Sequence, residues 1–329
     1  MTEVASGETV ATFSSHGQTY RLAVLHGRDI EIISPLLVEV YGRKAFDPAF
    51  VRRKYSCERD GVRAFACVAM SDSGDRPVAT VGMLPWPIRH GAHVELAGQL
   101  ADSATSKAHR GRGLHVRLMT LAHEKCAAAG MTFVFRFSNK LSFAITTSKL
   151  GYSHLGDLVE YAQPVRTVWA ERLARRTRLG SVYDSVVDRI LEPFLEPGRV
   201  LESSALAEGY AGVARDREFF EYKERFGRSR VVNLAGASVW LAVNHGILVG
   251  DITARSDSDL DRGLDALRRL SRRLGANRVL FQVPDDVRIG RFLATRWQET
   301  RRRPLAYFDL SSKIPPSALR FTFGDIDGY

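Results

Sequence analysis

A basic, glycine-rich loop, Arg110-Gly-Arg-Gly-Leu-His115, lies between a predicted strand and a predicted amphipathic helix. The strand covers 93–105, and the helix covers 113–129 and ends at Gly130. Its apolar face comprises Leu114, Leu118, Leu121 and Ala122. Because the glycines allow the backbone to bend, successive N–H groups can point one way, and the positive end of the helix dipole adds to their attraction for an anion. The loop therefore predicts a phosphate-binding turn.

The elements around this loop predict an α/β protein with a mixed sheet. A strand over 20–25 is followed by helical spacing over 30–41 and 47–55. Two β-rich runs, 62–70 and 77–84, flank a turn with the composition of a hairpin. After the loop and its helix, the pattern predicts a strand over 131–137, a helix over 141–150 and a strand over 158–165.

Composition excludes several classes of protein. The chain has 329 residues, of which 45% are apolar, so it is long enough for two globular domains. Its net charge is +10, and 39 of its 47 basic residues are arginine. Because the arginines alternate with acids and leucines in helical segments such as 268–273, solvated helix faces explain them better than a nucleic-acid interface. The charge still favours an anionic small molecule.

The three cysteines, Cys57, Cys67 and Cys126, form no C-x-x-C pair, and the histidines lack the spacing of metal ligands. We therefore expect neither a disulfide framework nor a metal site. The N-terminus is acidic, and no apolar run reaches the roughly 20 residues that span a bilayer. These features predict a cytoplasmic protein that is neither secreted nor embedded in a membrane, with no nucleic-acid or membrane partner.

The second half of the sequence partly repeats the first. Asp47-x-x-Phe50-x-x-x-Lys54 matches Asp216-x-x-Phe219-x-x-x-Lys223, Val81-Gly82 matches Val249-Gly250, and Gly130 matches Gly275. The offset falls from about 168 to 145, which suggests that the second copy lacks the third strand and the glycine-rich loop. We predict a first domain at 1–165, a helical connector and start of the second domain at 166–228, and a degenerate copy at 229–329.

The loop resembles the R-x-x-G-x-G/A pyrophosphate loop of the GNAT N-acetyltransferase superfamily, here Arg110-x-x-Gly113-x-His115, with His115 in place of a small residue. The neighbouring Leu100 to Thr105, Asn139 and Leu150-Gly151-Tyr152 are also similar to features of that family. The resemblance covers about 20–165 and implies the GNAT fold, twice in tandem, with acetyl-CoA as cosubstrate.

In that family, the strand before the loop splays from its neighbour and leaves a slot for the pantetheine arm of CoA. The resemblance implies that Ser103, Ala104 and Thr105 face pantetheine and that the loop holds the pyrophosphate. The loop residues are Arg110, Gly111, Arg112, Gly113, Leu114 and His115, and Asn139 joins the cofactor-binding set.

The acid and base of the reaction are less defined. Glu95 and Asp102 lie on opposite faces of the strand before the loop, so only one can face the slot as a base. Many family members carry a tyrosine acid where this chain reads Ala144-Ile-Thr-Thr147, which leaves Tyr152 and Tyr161 as candidates. Asp325 and Asp327, in the apolar and acidic C-terminal tail, could contact a cationic substrate, although a tail that closes the second domain is favoured.

These observations predict an N-acetyltransferase that moves an acetyl or short acyl group from acetyl-CoA to a primary amine by direct attack. An amino sugar or sugar nucleotide, an amino-acid-like metabolite and a protein lysine remain open as acceptors. The alternatives are a catalytically impaired CoA-binding or interaction module and, third, a nucleic-acid-binding protein.

Overall fold

The computed structural model describes residues 8–42, 46–72, 74–196, 198 and 200–327. The chain forms two compact units. Unit 1 contains the described residues through Ile88, together with His93–Leu155 and Leu305–Pro316. Unit 2 contains Arg89–Ala92, Gly156–Pro304 and the described residues from Ser317 onward. Among the described residues, no helix is long and apolar enough to cross a membrane.

Unit 1 is built on a sheet in the order β1-β2-β5-β6-β7-β8, beside which residues Leu305–Asp309 of β15 pair antiparallel with β8. β7 and β8 run parallel and are joined by the crossover helix α3. The elements are β1 (Glu8–Ser15), β2 (Gln18–Leu25), α1 (Ser34–Tyr41), α2 (Pro48–Lys54), β3 (Glu58–Arg59), β4 (Val62–Arg63), β5 (Phe65–Ser71), β6 (Pro77–His90), β7 (His93–Thr105), α3 (Leu114–Ala128), β8 (Phe133–Phe137) and α4 (Lys140–Leu150).

Unit 2 repeats this plan with a sheet in the order β15-β9-β14-β13-β12-β11, in which β13 and β14 run parallel. Its elements are β9 (Ser153–Pro164), α5 (Ala170–Arg176), α6 (Gly180–Leu191), α7 (Ser204–Ala207), β10 (Gly212–Val213), α8 (Arg217–Gly227), β11 (Arg230–Leu234), β12 (Ala237–Val243), β13 (Ile247–Thr253), α9 (Asp257–Arg273), β14 (Arg278–Val283), α10 (Arg288–Ala294) and β15 (Gln298–Asp309).

The predicted apolar faces of the helices form the cores. Leu114, Leu118 and Leu121 of α3 are buried against the sheet of unit 1, and Leu260, Leu264 and Leu267 of α9 occupy the corresponding place in unit 2. The 3.6-residue spacing of these leucines explains why both helices bury one face. β1 precedes the first strand expected from the sequence, at 20–25, and pairs antiparallel with β2.

The helix motif of the proposed repeat is confirmed. Asp47 caps α2 by accepting a hydrogen bond from the Phe50 N–H at 2.7 Å, and Asp216 caps α8 through the Phe219 N–H at the same distance. The lysine four residues further, Lys54 or Lys223, is buried in both copies.

Two parts of the predicted repeat are wrong. Val249-Gly250 lies on β13, which precedes the crossover helix as β7 does, so its counterpart is β7 and not the β6 residues Val81-Gly82. The second copy also keeps its third strand, because β11, β12 and β13 match β5, β6 and β7. It is shorter because its strands have 7 residues where β6 and β7 have 14 and 13.

The two units also differ from the expected boundary at residue 165. Residues 156–164 of β9 belong with unit 2 because β9 pairs antiparallel with β14 from Val159 to Pro164. Residues 305–316 belong with unit 1 because Leu305–Asp309 pair with β8. Periodicity predicts that a strand exists but not which strand it pairs with.

Candidate active site

Strands β7 and β8 of unit 1 part in front of the glycine-rich loop. Their parallel register runs Ala97↔Phe133, Gly98↔Val134 and Gln99↔Phe135, while β7 continues to Thr105. At Asp102 the backbone of β7 adopts a left-handed conformation, with φ of 45°, which interrupts the regular pleat. Beyond Gln99, the facing edge of β7 in the described structure lacks a ladder to β8, which leaves a gap of the kind that the resemblance implies.

Asp102 is held by two consecutive residues at the C-terminal end of α2. Lys54 Nζ donates to Asp102 Oδ1 at 2.8 Å, and Tyr55 Oη donates to Oδ2 at 3.0 Å. Gly82 allows this approach, since a Cβ there would lie 1.8 Å from Tyr55 Oη. Both carboxylate oxygens of Asp102 are therefore occupied within unit 1.

The loop ends at a helix terminus suited to an anion. Gly111 and Gly113 both have φ of 78°, a left-handed conformation that glycine adopts without strain. Gly113 is the N-cap of α3, where no side chain accepts from the first-turn N–H groups, and that turn contains no acidic residue. Arg110 and Lys107 are exposed beside it. The free N–H groups, the helix dipole and the two cations all favour a phosphate.

Two residues of β2 hold the other side of the loop. Arg112 Nη1 donates to Gln18 Oε1 at 3.1 Å, and Tyr20 Oη lies 3.0 Å from His109 Nδ1. Burial first, and then the charge of Arg112, lower the pKa of His109. Arg112 is thus engaged with the Gln18 side chain and half-buried, whereas Arg110 is exposed and donates only its Nε, to the Thr105 carbonyl, at 3.3 Å. The sequence carries no signal for the contribution of Gln18 or Tyr20, because β2 is far from the loop along the chain.

His115 extends from the first turn of α3 to the strand that lines the gap. Its Nδ1 lies 3.1 Å from Ser103 Oγ, and burial, followed by the charge of Arg136, lowers its pKa to about 4. The imidazole is therefore neutral near pH 7. The Ser103 carbonyl also accepts a hydrogen bond from Tyr41 Oη at 2.7 Å. Of the three residues expected to face pantetheine, Ser103 thus has both its side chain and its carbonyl engaged, and the Thr105 carbonyl accepts from Arg110 Nε at 3.3 Å.

Two residues mark the end of β8. Asn139 caps α4, with its Oδ1 accepting from the Ser142 N–H at 2.8 Å, so its side-chain oxygen serves the helix. Ser138, one residue earlier, is 1% exposed, and its Oγ has no hydrogen-bond partner in the structure. A buried hydroxyl without a partner costs free energy, and Ser138, like Gln18 and Tyr20, is a residue near the site that sequence reasoning missed.

Glu95 is not placed to act as the base. It lies eight residues before Ser103, about 26 Å along an extended strand. Its carboxylate accepts from Thr132 Oγ1 at 2.6 Å, Ser312 Oγ at 2.7 Å and the Lys313 N–H at 2.8 Å. Burial raises the pKa of Glu95, but these hydrogen bonds and that from His93 outweigh it and lower the pKa to about 2. Glu95 instead anchors residues 312–313 to unit 1.

The tyrosines expected as acid candidates also lie in the cores. Tyr152 is 4% exposed, its Oη lies 2.8 Å from His123 Nε2, and burial raises its pKa. Tyr161 is 2% exposed and belongs to unit 2, and burial raises its pKa as well. In α4, Thr146 and Thr147 donate their hydroxyls to carbonyls of their own helix. None of these four residues presents a free acid to the gap.

Unit 2 has a corresponding fork without the phosphate-binding turn. Strands β13 and β14 pair at Ile247↔Val279, Leu248↔Leu280 and Val249↔Phe281, and β13 continues to Thr253. Helix α9 is capped by Ser256, which accepts from the Asp259 N–H at 3.1 Å, and its first turn contains Asp257 and Asp259. The cap removes a free N–H group and the acids repel a phosphate.

The C-terminal tail fills that second fork. The short 3-10 turn at Phe323–Asp325 contacts both β13 and β14, and Thr322 Oγ1 donates to the Gly250 carbonyl at 2.7 Å. Arg215 bridges Asp251, at 2.6 Å, and Asp325, at 3.0 Å, with all three side chains fully buried. Asp325 therefore closes unit 2, as favoured from the sequence, and is not exposed to a substrate. Gly328 and Tyr329 lie outside the described residues.

Among the described residues, no group of three or more His, Cys, Asp and Glu side chains is placed to hold a metal ion. The residues at the loop suit a different ligand, an anion such as a phosphate, because uncapped N–H groups and exposed cations meet at one turn.

Several solved structures resemble this chain. A GCN5-related N-acetyltransferase from Kribbella flavida is 14% identical, with a TM-score of 0.57 over 89% of this chain and 71% of its own. A conserved protein of unknown function from Enterococcus faecalis is 11% identical, with a TM-score of 0.58 over 89% and 72%. Eis1 from Mycobacterium abscessus is 13% identical, with a TM-score of 0.52 over 92% and 82%.

No family model matches the sequence, and no curated protein matches it significantly. At these identities the structural matches establish the fold alone, and they extend over most of both units. The chain has the mixed α/β fold of the GCN5-related N-acetyltransferases, with one order of elements repeated in two units.

Proposed function

We propose that unit 1 binds an acyl-CoA and transfers its acyl group to a primary amine. The observation that carries the proposal is the parting of β7 from β8 directly before a glycine-rich turn whose helix N–H groups no side chain caps. The gap supplies strand backbone outside the β7–β8 ladder for the amide groups of pantetheine, and the turn supplies donors for the pyrophosphate. Membership of the chain in the GNAT superfamily is part of this proposal.

The chemistry needs an amine nitrogen to attack the thioester carbonyl, the C–S bond to break, and the nitrogen to lose a proton to a base. Acetyl-CoA supplies the activated acyl group and the thiolate leaving group. Asp102 is the retained base candidate because it lies on β7 beside Ser103, whereas Glu95 is remote. For Asp102 to take a proton, the hydrogen bond from Tyr55 or Lys54 must be released when the amine binds.

The net charge of +10 favours an acceptor that carries a phosphate, such as a nucleotide-linked amino sugar. Isothermal titration of such compounds against the protein saturated with CoA tests this choice, and an absence of binding contradicts it. Cys57, Cys67 and Cys126 are buried and form no disulfide, which is compatible with a reducing compartment such as the cytoplasm.

The second candidate function is a CoA-binding module without catalysis. The contact between His115 and Ser103 favours it, because His115 stands where the family has a small residue and its ring borders the gap. The threonines that stand in place of the family's tyrosine also favour a module without catalysis. This candidate predicts CoA binding without turnover of any amine.

Thermal unfolding with and without acetyl-CoA tests binding at the proposed site. At 100 times Kd, a ligand that binds only the folded state adds about 2.7 kcal/mol of stability, which shifts the Tm of a unit of this size by about 5–10 °C. Arg110→Glu should abolish the shift. Arg255→Glu makes the same charge change in the corresponding loop of unit 2 and should leave the shift intact. The absence of a shift in the wild type contradicts both candidate functions.

A further inference from the structure

The helices α5 and α6 of unit 2 carry a concentrated group of exposed apolar side chains. Elsewhere in the described chain, large apolar residues with high exposure are scattered singly. Here six occur within 19 residues, which we name the connector face: Val168, Trp169, Leu173, Leu179, Val182 and Val186. Val168 is 83% exposed and Leu173 is 65% exposed. An exposed cluster of this kind marks an interaction surface.

The apolar residues form two helical stripes. Trp169 and Leu173 are four residues apart at the start of α5, and Leu179, Val182 and Val186 follow the i, i+3, i+7 spacing along α6. The adjacent side of α6 is buried through Tyr183, Val187 and Leu191. The two helices also contact each other. The core of unit 2 therefore packs against one face of α6, and a second apolar face of the helix is exposed.

Arginines surround these stripes, and the acids nearby are already used. Arg166, Arg172, Arg176 and Arg178 are exposed. Glu171 is 3% exposed and accepts from the Gly246 N–H at 2.7 Å, and Asp184 pairs with Arg175 at 2.9 Å and Arg228 at 2.7 Å. The accessible charge of the connector face is positive.

We infer that the connector face binds the anionic surface of a lipid bilayer. Exposed Trp, Leu and Val flanked by arginine are the residues of helices that lie in a membrane interface, where apolar side chains enter the acyl boundary and cations contact lipid phosphates. The Arg172 guanidinium lies 4.7 Å from the Trp169 ring centroid, which places a cation beside the aromatic ring as the interface requires. This contact is peripheral, and it revises the expectation of no membrane partner.

A second copy of the chain fits this face less well. A two-fold interface places the same surface patch against itself, so the arginines of one copy would approach those of the other. An acidic protein is the other possible occupant. However, the exposed side chains are spread over two short helices and the loop between them. A lipid surface suits this arrangement better, because it requires only that apolar side chains and cations lie at one level.

Trp169 gives a direct readout of binding in the full-length wild-type chain. Trp86, Trp240 and Trp297 are at most 6% exposed, whereas Trp169 is 53% exposed. Acrylamide quenching and emission wavelength therefore report mainly on Trp169. With phosphatidylcholine–phosphatidylglycerol vesicles, we expect a blue shift, protection from acrylamide and cosedimentation. With phosphatidylcholine alone, and at high salt, we expect binding to weaken at least ten-fold.

Two double variants separate the electrostatic contribution to vesicle binding from the apolar contribution. Arg172→Gln with Arg176→Gln should weaken vesicle binding about 20-fold, and Leu173→Ser with Val182→Ser should weaken it without changing the salt dependence. Arg21→Gln with Arg301→Gln makes the same change of charge at exposed positions elsewhere and should bind as the wild type does. Circular dichroism melts verify that each variant is folded.

Three results would overturn the inference. The first is equal binding to neutral and anionic vesicles, or none to either. The second is a dimer in sedimentation equilibrium that already protects Trp169 without lipid. The third is protection by polyglutamate as strong as by vesicles, which would assign the face to an acidic protein. None of these results depends on whether unit 1 binds CoA.

Discussion

Lys54 Nζ donates to Asp102 Oδ1 at 2.8 Å, and the two side chains are only 4% and 5% exposed. This buried ion pair joins the end of α2 to the irregular part of β7, next to the residues that border the proposed slot. Its lysine belongs to the repeated Asp-x-x-Phe-x-x-x-Lys motif, whose second copy, Lys223, donates instead to the Ile326 carbonyl at 2.6 Å. The same helix motif therefore holds strand β7 in unit 1 and the C-terminal tail in unit 2.

Lys54→Met should destabilise unit 1 by about 3–5 kcal/mol, because it leaves the buried Asp102 carboxylate without its cation. Urea denaturation followed by circular dichroism measures the loss. Lys54→Met with Asp102→Asn should recover part of it, since the uncompensated charge is then gone. A loss below about 1 kcal/mol in the single variant would contradict a stabilising role for the pair.

Asp102→Gly and Asp102→Ala should differ in acyl-CoA affinity although both lack the carboxylate. Glycine adopts the φ of 45° found at Asp102 without strain, whereas alanine pays about 1–2 kcal/mol and is expected to relax β7 toward regular pairing. We expect near-wild-type CoA affinity in Asp102→Gly and at least five-fold weaker binding in Asp102→Ala by calorimetry. If Asp102 is the base, both variants lose turnover alike.

The sequence predicts those parts of the site that depend on local pattern. The glycines at 111 and 113, the apolar face of α3 and the Asp47 cap all follow from spacing within a few residues. Glu95 shows where such reasoning fails, because Ser312 and Lys313, its partners, lie 217 and 218 residues away. A carboxylate near a predicted slot looks catalytic until the distant segment that binds it is known, here the residues that follow β15.

His115 illustrates a second limit. The sequence identifies it as a departure from the family's small residue, but it does not show that the ring contacts Ser103. The pairing of Leu305–Asp309 with β8 is a similar case, because a local sequence pattern carries no information about which strand lies beside it.

His115→Ala should tighten acyl-CoA binding if the imidazole narrows the gap between β7 and β8. The variant restores a small residue and frees Ser103 Oγ for a ligand. We expect Kd for acetyl-CoA to fall several-fold, with a larger thermal shift at equal ligand concentration. His115→Asn, which keeps a polar side chain near Ser103, is the matched control and should change Kd less. Weaker binding in His115→Ala would indicate that the imidazole itself contacts the ligand.

Unit 1 should lose stability between pH 6.5 and 4 because of its buried histidines. Burial lowers the pKa of His123 from 6.5 to about 4, so the unfolded chain binds more protons than the folded one in that window and the free energy of unfolding falls as pH falls. His123→Phe should flatten this slope in urea titrations at several pH values. It keeps an aromatic ring against Phe308, from which the His123 ring centroid lies 4.1 Å. Glu95, with its lowered pKa of about 2, adds a separate loss between pH 4.5 and 2.

Gly324→Ala should displace the tail from unit 2 without affecting the loop of unit 1. A Cβ on Gly324 would lie 1.9 Å from Trp240 Cζ3, and the ring cannot move away because Trp240 is fully buried on β12 and packs edge-on against Phe220 at 4.9 Å. The tail must therefore shift, which weakens the contact of Thr322 with Gly250 and of Asp325 with Arg215. We expect the free energy of unfolding to fall by about 1–3 kcal/mol and proteolysis near the C-terminus to increase. Gly74→Ala, where a Cβ meets nothing within 4 Å, is the control.

Acyl-CoA binding should be equal in both variants, because the fork that the tail fills lacks a phosphate-binding turn. If Gly324→Ala instead creates a second CoA site, the capped and acidic start of α9 does not prevent binding, and unit 2 is a closed site rather than a degenerate one.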